Sequence, residues 1–185
     1  MTNLQQVSLF SGIGGFDLAG ERNGIQSLAA CEIDEHARAT FLKHFPNTHM
    51  FTDVREVTRD ALLNIGAEPT RTLLTGGFPC QDLSGAGRRA GLAGPRSGLF
   101  YEVARIIDEF GPSFVLLENV CGLLSSAGGR DMGSVIGTLE ELRYKWAYRV
   151  LDSKFYGVAQ QRRRVFIAAV PRESRISPEQ VLAIR

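Results

Sequence analysis

Val7-Ser8-Leu9-Phe10-Ser11-Gly12-Ile13-Gly14-Gly15-Phe16-Asp17 reads as a buried strand, a glycine turn and the first residues of a helix. The apolar run Val7–Phe10 suits a strand covered on both faces. Glycines at 12, 14 and 15 let the backbone turn sharply and approach a ligand closely. The helix that follows begins at Phe16.

The same alternation continues outward from that stretch. Strands are predicted at Leu28–Ile33, Met50–Thr52, Thr72–Thr75 and Phe114–Leu117. Helices are predicted at Glu35–Phe45, Phe100–Phe110 and Met132–Leu142, the last with Asp131 as N-cap. Trp146–Leu151 and Val165–Val170 form a late hairpin pair. Such alternation implies an α/β domain with an open, mostly parallel sheet and helices on both faces. Ligands in such folds bind beyond the carboxyl ends of the strands. Residues 1–170 read as one catalytic, cofactor-binding domain, and 171–185 as a tail or linker.

Composition bounds the class. Of 185 residues, 44% are hydrophobic and 22% charged, which fits a globular chain with a real core. No apolar run approaches the ~18 residues of a membrane span, and no secretory signal opens the chain. Cys31, Cys80 and Cys121 share no metal-ligand or disulfide spacing. A reducing, intracellular setting follows; for a prokaryotic or phage protein this is the cytoplasm. His36, His44 and His49 read as decoration of a helix and its following turn, so no metal site is expected. The formal net charge is only +1, but residues 143–164 hold seven bases against one acid, Asp152. That run is either a solvated face or a positive edge beside an anionic substrate.

The glycine turn departs from the dinucleotide fingerprint G-x-G-x-x-G. Counted from Gly12, its third glycine falls on Asp17. No GK[ST] follows, which excludes a P-loop. Glu32 ends the second strand, where an acid accepts from ribose hydroxyls in nucleotide-binding α/β folds; a solvent-exposed loop acid is the plainer alternative. Asp53 is placed either to accept from an adenine amino group or to cap the segment after it.

Gly76-Gly77-Phe78-Pro79-Cys80-Gln81 leaves the fourth strand through a tight exit. A free cysteine is more often a buried apolar residue, but that needs apolar neighbours. Here the neighbours are proline, glutamine and a loop rich in glycine and arginine. Cys80 therefore reads as an activated nucleophile. Residues 81–98 contain five glycines and three arginines and read as a lid. Glu118-Asn119-Val120 ends the fifth strand with a partly desolvated carboxylate. In Gln160-Gln161-Arg162-Arg163-Arg164-Val165-Phe166, strand alternation puts Arg162 and Arg164 on one face and Arg163 on the other.

The ordered set FSGIGG, Glu32, Asp53, GGFPCQ, ENV and QRRRVF resembles the DNA cytosine-C5 methyltransferase family over roughly residues 7–170. The resemblance implies a Rossmann-like, S-adenosylmethionine-dependent methyltransferase fold with a late antiparallel strand. It implies that Cys80 attacks C6 of a cytosine flipped out of DNA and that Glu118 holds N3 and the amino group. Arg164 and Arg162 would orient Glu118. Phe10, Gly12, Gly14, Gly15, Glu32, Ile33, Asp53, Val54, Pro79 and Leu99 would line the S-adenosylmethionine site. Gln81, Ser84, Arg88, Arg89 and Arg96 would belong to the DNA-facing lid.

Two departures stand out. Ala159 occupies the place of a family proline. The family's target-recognition domain and returning C-terminal segment do not fit in Pro171–Arg185. Weak or absent activity of the chain alone is therefore expected, with a second chain as a candidate supplier of those parts. Two alternatives remain open: an RNA cytosine-C5 methyltransferase, and a non-catalytic subunit that binds cofactor or a partner chain. A dehydrogenase is disfavoured by Asp17.

Overall fold

A computed structural model describes residues 4–79 and 98–182. Cys80, Gln81, Ser84, Arg88, Arg89 and Arg96 lie outside the described residues. The sheet has seven strands: β1 (Gln5–Leu9), β2 (Gln26–Cys31), β3 (His49–Phe51), β4 (Thr72–Gly77), β5 (Phe114–Val120), β6 (Tyr144–Asp152) and β7 (Arg163–Pro171). Their order is β3-β2-β1-β4-β5-β7-β6. Pairings through β5 are parallel, and β7 runs antiparallel to both β5 and β6. The mostly parallel sheet and its antiparallel closure are thus as expected.

The chain builds outward from β1 through α1 (Gly15–Arg22) to β2, then through α2 (Glu35–His44) to β3. It then returns across β1 to β4. The reversal between β1 and β4 opens a crevice at the strand ends, where α/β folds bind ligands. The remaining helices are α3 (Arg59–Asn64), α4 (Leu99–Phe110), α5 (Arg130–Glu141) and α6 (Pro178–Val181).

Local chemistry explains the boundaries. Asp34 Oδ1 accepts from Ala37 N at 2.7 Å and starts α2. The buried side of α4 carries Phe100, Val103, Ala104, Ile106, Ile107 and Phe110, and the helix stops at Gly111 in the left-handed region (φ 69°). The larger core joins α4 and α5 to the sheet; a smaller one gathers Ala30, Phe41, Phe45 and Met50 beneath α2. Phe16 of α1 meets Phe166 of β7 edge to face at 6.4 Å.

Sequence reasoning erred in places. It missed α3, whose six residues are too short to show a period; Thr58 Oγ1 caps it by accepting from Ala61 N at 3.2 Å. Asp131 does not cap α5. Gly129, at φ 84°, precedes the helix, and Asp131 sits in its first turn accepting from Ser126 Oγ. Every strand was placed, but β4 and β5 run on by two and three residues, to Gly77 and Val120. No helix among the described residues is long and apolar enough to cross a membrane.

Candidate active site

The crevice beside β1 holds a cavity of about 470 Å³ lined by Phe10, Cys31, Glu32, Ile33, Asp53, Val54, Arg55, Gly98, Leu99 and Glu102. That size suits a nucleoside-like ligand. Six of the ten residues expected at a cofactor site are here: Phe10, Glu32, Ile33, Asp53, Val54 and Leu99. Gly12, Gly14, Gly15 and Pro79 do not line the cavity. Phe10 is held at φ 54°, a left-handed conformation rare outside glycine and common at functional sites.

Gly12 acts through its backbone: its N–H donates to Glu32 Oε2 at 2.8 Å. Glu32 Oε1 accepts from Asp34 N at 2.9 Å. Both carboxylate oxygens are thus positioned by backbone, and each keeps acceptor capacity for a further donor. Gly14 serves packing instead. A Cβ there would come within 2.7 Å of Phe45 Cε2 and 3.0 Å of Phe41, and its φ is +93°. Gly15 opens α1 with nothing within 4 Å of an added Cβ.

Asp53 takes the capping role that sequence left open. Its Oδ1 accepts from Arg55 N and Arg55 Nε, each at 2.9 Å, and its Oδ2 pairs with Arg55 Nη2. The Arg55 hydrogen bonds pull the carboxyl down to about 2. A ligand amine at Asp53 therefore competes with Arg55. Sequence reasoning missed Cys31, Arg55, Gly98 and Glu102. Arg55 and Glu102 carried no local motif, and only the fold brings them to the wall. Burial first, then Asp53 and Glu32, raise the Cys31 thiol to about 12, so it stays neutral. Among the described residues of its wall, three acids stand against one arginine, which leaves that wall formally negative.

The second centre lies two strands away. Arg164 Nε pairs with Glu118 Oε1 at 2.7 Å, with both side chains about four-fifths buried (21% and 22% exposed). The β5–β7 register sets this up: Arg164 stands opposite Val120 and Phe166 opposite Glu118. Gly77 of β4 is opposite Glu118, and a Cβ on Gly77 would lie 3.1 Å from Glu118 Oε2. Glycine keeps that space open. Next in line, Asn119 is buried; its Nδ2 donates to Phe78 O at 2.9 Å, and its Oδ1 accepts from Val120 N at 2.8 Å. One residue pair thus ties the exit of β4 to the carboxylate.

Arg162 is not on the strand. It is exposed and precedes β7, and its carbonyl accepts from Ser153 N at 3.1 Å. The expected alternation holds for the pair within the strand: Arg163 stands opposite Asp152, and Arg164 opposite Leu151. Ser153 also donates from Oγ to Gln160 O. This serine fastens the 153–162 connection, which includes Ala159. Among the described residues no cluster of three His, Cys, Asp or Glu side chains is arranged to hold a metal.

The family model for C-5 cytosine-specific DNA methylase matches residues 4–183. The Type II methyltransferase M2.BsuMI of Bacillus subtilis (strain 168) is 37% identical over 170 residues, spanning 90% of this chain and 42% of that protein. The Type II methyltransferase M.PspPI of Psychrobacter sp. is 40% identical over 165 residues, spanning 89% and 39%. A mutant of Spodoptera frugiperda DNMT2 shares the fold with a TM-score of 0.74 at 22% identity, covering 94% of this chain and 51% of that one. The chain thus spans less than half the length of these curated relatives.

Proposed function

The chain belongs to the C-5 cytosine-specific DNA methylase family, and from that premise we propose that it transfers a methyl group from S-adenosylmethionine to C5 of cytosine in DNA through a covalent Cys80–C6 bond. The observation that carries the reading is the Glu118–Arg164 pair beside Gly77, with Asn119 holding the carbonyl of Phe78. In the sequence a single residue, Pro79, stands between Phe78 and Cys80.

The cavity by β1 fits the cofactor. Glu32 presents two backbone-positioned oxygens for a ribose diol, and Phe10, Ile33, Val54 and Leu99 offer apolar walls for a base. Its negative lining suits a sulfonium cation and disfavours a pyrophosphate. When bound, S-adenosylmethionine supplies an electrophilic methyl group. Cys80, as thiolate, adds to C6 of the cytosine, which breaks ring aromaticity and makes C5 nucleophilic. Glu118, oriented by Arg164, donates at N3 and accepts from the amino group, so negative charge does not accumulate on the ring. After methylation, loss of the C5 proton returns the electron pair and expels the thiolate. The target atom is inaccessible inside a duplex, so the substrate is a flipped-out cytosine.

Residues 1–170 form the catalytic unit in this reading, and a second chain supplying target recognition is expected to raise the rate. The test is transfer of labelled methyl groups from S-adenosylmethionine to DNA, with and without a candidate second chain. Label in cytosine C5 that disappears in Glu118→Ala supports the proposal. Label on RNA cytosine alone, or bound cofactor with no transfer under any condition, contradicts it.

A further inference from the structure

We propose that the edge of the sheet at β6 carries a docking groove for the sugar-phosphate backbone of the DNA that flanks the target cytosine. The inference rests on the DNA-methylating reading above and extends it to a surface outside the catalytic pair and the cofactor cavity.

A second cavity of about 460 Å³ wraps the end of β6, with Arg149, Asp152, Lys154, Phe155, Tyr156 and Arg163 in its wall. Three bases against one acid make it formally positive, the opposite of the cofactor cavity. The acid is accounted for: Asp152 lies on the floor, accepts from Lys154 N at 3.3 Å and sits 3.8 Å from Lys154 Nζ. The bases are exposed, the Lys154 side chain at 46%; Arg149 donates from Nη1 to Leu182 O at 3.1 Å and keeps further donors.

Aromatic surface accompanies the charge. Phe155 is 76% exposed and Tyr156 50%. Lys154 Nζ lies 4.8 Å from the centroid of the Phe155 ring. Keeping a phenyl ring this open costs solvation unless something covers it. Cations interleaved with exposed rings match a ligand that alternates phosphates with sugars and bases. A free anion would use the charges and leave the rings bare.

Placement argues for the same occupant. Leu151 is the register partner of Arg164, and Arg149 is that of Phe166, so both share a sheet face with the Glu118–Arg164 pair. Directly paired Cα atoms lie about 5 Å apart. Glu118, Phe166 and Arg149 stand in one row across β5, β7 and β6, so the groove begins two strands, about 10 Å, from that carboxylate at the same end of the sheet, and Arg163, opposite Asp152, adds its charge from the other face. A nucleotide held at Glu118 would lead its neighbours into it. The 153–162 connection that bears Lys154 and Phe155 is pinned by Ser153 at both Gln160 O and Arg162 O, so the groove wall is pre-shaped.

The test is binding of a labelled duplex oligonucleotide, followed by fluorescence anisotropy across a salt series, for the wild type, Lys154→Gln, Arg163→Gln and Phe155→Ala. Each charge removal is expected to weaken binding and to reduce the log-log salt slope by about 1. Phe155→Ala is expected to weaken binding with the slope unchanged. Melting temperature and S-adenosylmethionine affinity should match wild type in all three, which excludes misfolding. Wild-type slope and affinity in both charge variants overturn the proposal. Absence of DNA binding by the wild type does so too, as does complete displacement of DNA by millimolar inorganic phosphate. Covalent trapping on 5-fluorocytosine DNA reads the parent function separately: no adduct with these slopes intact faults the chemistry and not the groove.

Discussion

The two ends of this sheet hold cavities of nearly equal size, about 470 and 460 Å³, and opposite charge. The one at β1–β3 is lined by Glu32, Asp53 and Glu102 against Arg55. The one at β6 is lined by Arg149, Lys154 and Arg163 against Asp152. Between them stand Gly77 on β4, Glu118 on β5 and Arg164 on β7. A single sheet edge thereby separates a site suited to a small cation from a surface suited to a polyanion. The Glu118 carboxylate sits on the boundary. Their construction differs as well. The acidic cavity is built from local contacts: backbone N–H groups fix Glu32 and Asp53, and Arg105, one turn along α4, fixes Glu102. The Glu118–Arg164 pair exists only because two distant strands meet in antiparallel register.

The comparison breaks most visibly at the boundary. Glu118→Gln or Arg164→Ala is expected to lower methyl transfer by about 10²–10⁴-fold, the usual contribution of a positioned acid, while cofactor and DNA affinities change little. Single-turnover rates alongside equilibrium binding check this.

On the acidic side, Glu32→Gln replaces one charged acceptor and its backbone contacts. Loss of charge-assisted hydrogen bonds of about 1.5–3 kcal/mol corresponds to a ~10–100-fold fall in S-adenosylmethionine affinity. Calorimetry measures it, and duplex binding should stay unchanged; parallel loss of both would merge the two regions into one.

Gly14→Ala tests packing alone. A methyl group 2.7 Å from Phe45 Cε2, on a residue at φ +93°, must shift α1 from α2. Strain and overpacking of about 1–3 kcal/mol each should lower Tm by several degrees.

The smallest effect concerns Asp17, buried beneath α1, where Ser8 Oγ donates to both carboxylate oxygens at 2.9 Å and Ser27 Oγ to Oδ1 at 2.6 Å. Burial outweighs these hydrogen bonds and raises its pKa above 3.8. A raised carboxyl takes up its proton earlier in the folded state. This group therefore adds stability as pH falls through the raised value toward 3.8, and withdraws it as pH rises. Asp17→Asn should remove that pH-dependent gain while changing neutral-pH Tm little. Urea midpoints across the acid range measure it.

The same contrast governs what was legible in the sequence. The strand-turn-helix at 7–17, the place of Glu32 after the second strand and the mostly parallel sheet followed from apolar runs and glycines, because those signals are local. Arg55 and Glu102 in the wall of the β1–β3 cavity were not legible. Nor were the side-chain pairing of Asp53 with Arg55 or the close packing of Gly14 against Phe41 and Phe45. Each depends on which elements the fold brings together. Arg162 was expected to act with Arg164, but β7 starts one residue later, and strand alternation cannot announce its own first residue. The positive run at 143–164 was visible as composition. Its resolution into an arginine paired with Glu118, a groove and a pinned turn needed the β6–β7 register.

The most direct test of the central claim is intact-mass and peptide mass spectrometry of the protein after incubation with 5-fluorocytosine DNA and S-adenosylmethionine, alone and with a candidate second chain. The account predicts a stable protein–DNA adduct whose attachment maps to Cys80 and which is absent in Cys80→Ser. An adduct that persists in Cys80→Ser, or that maps to Cys31 or Cys121, would contradict it.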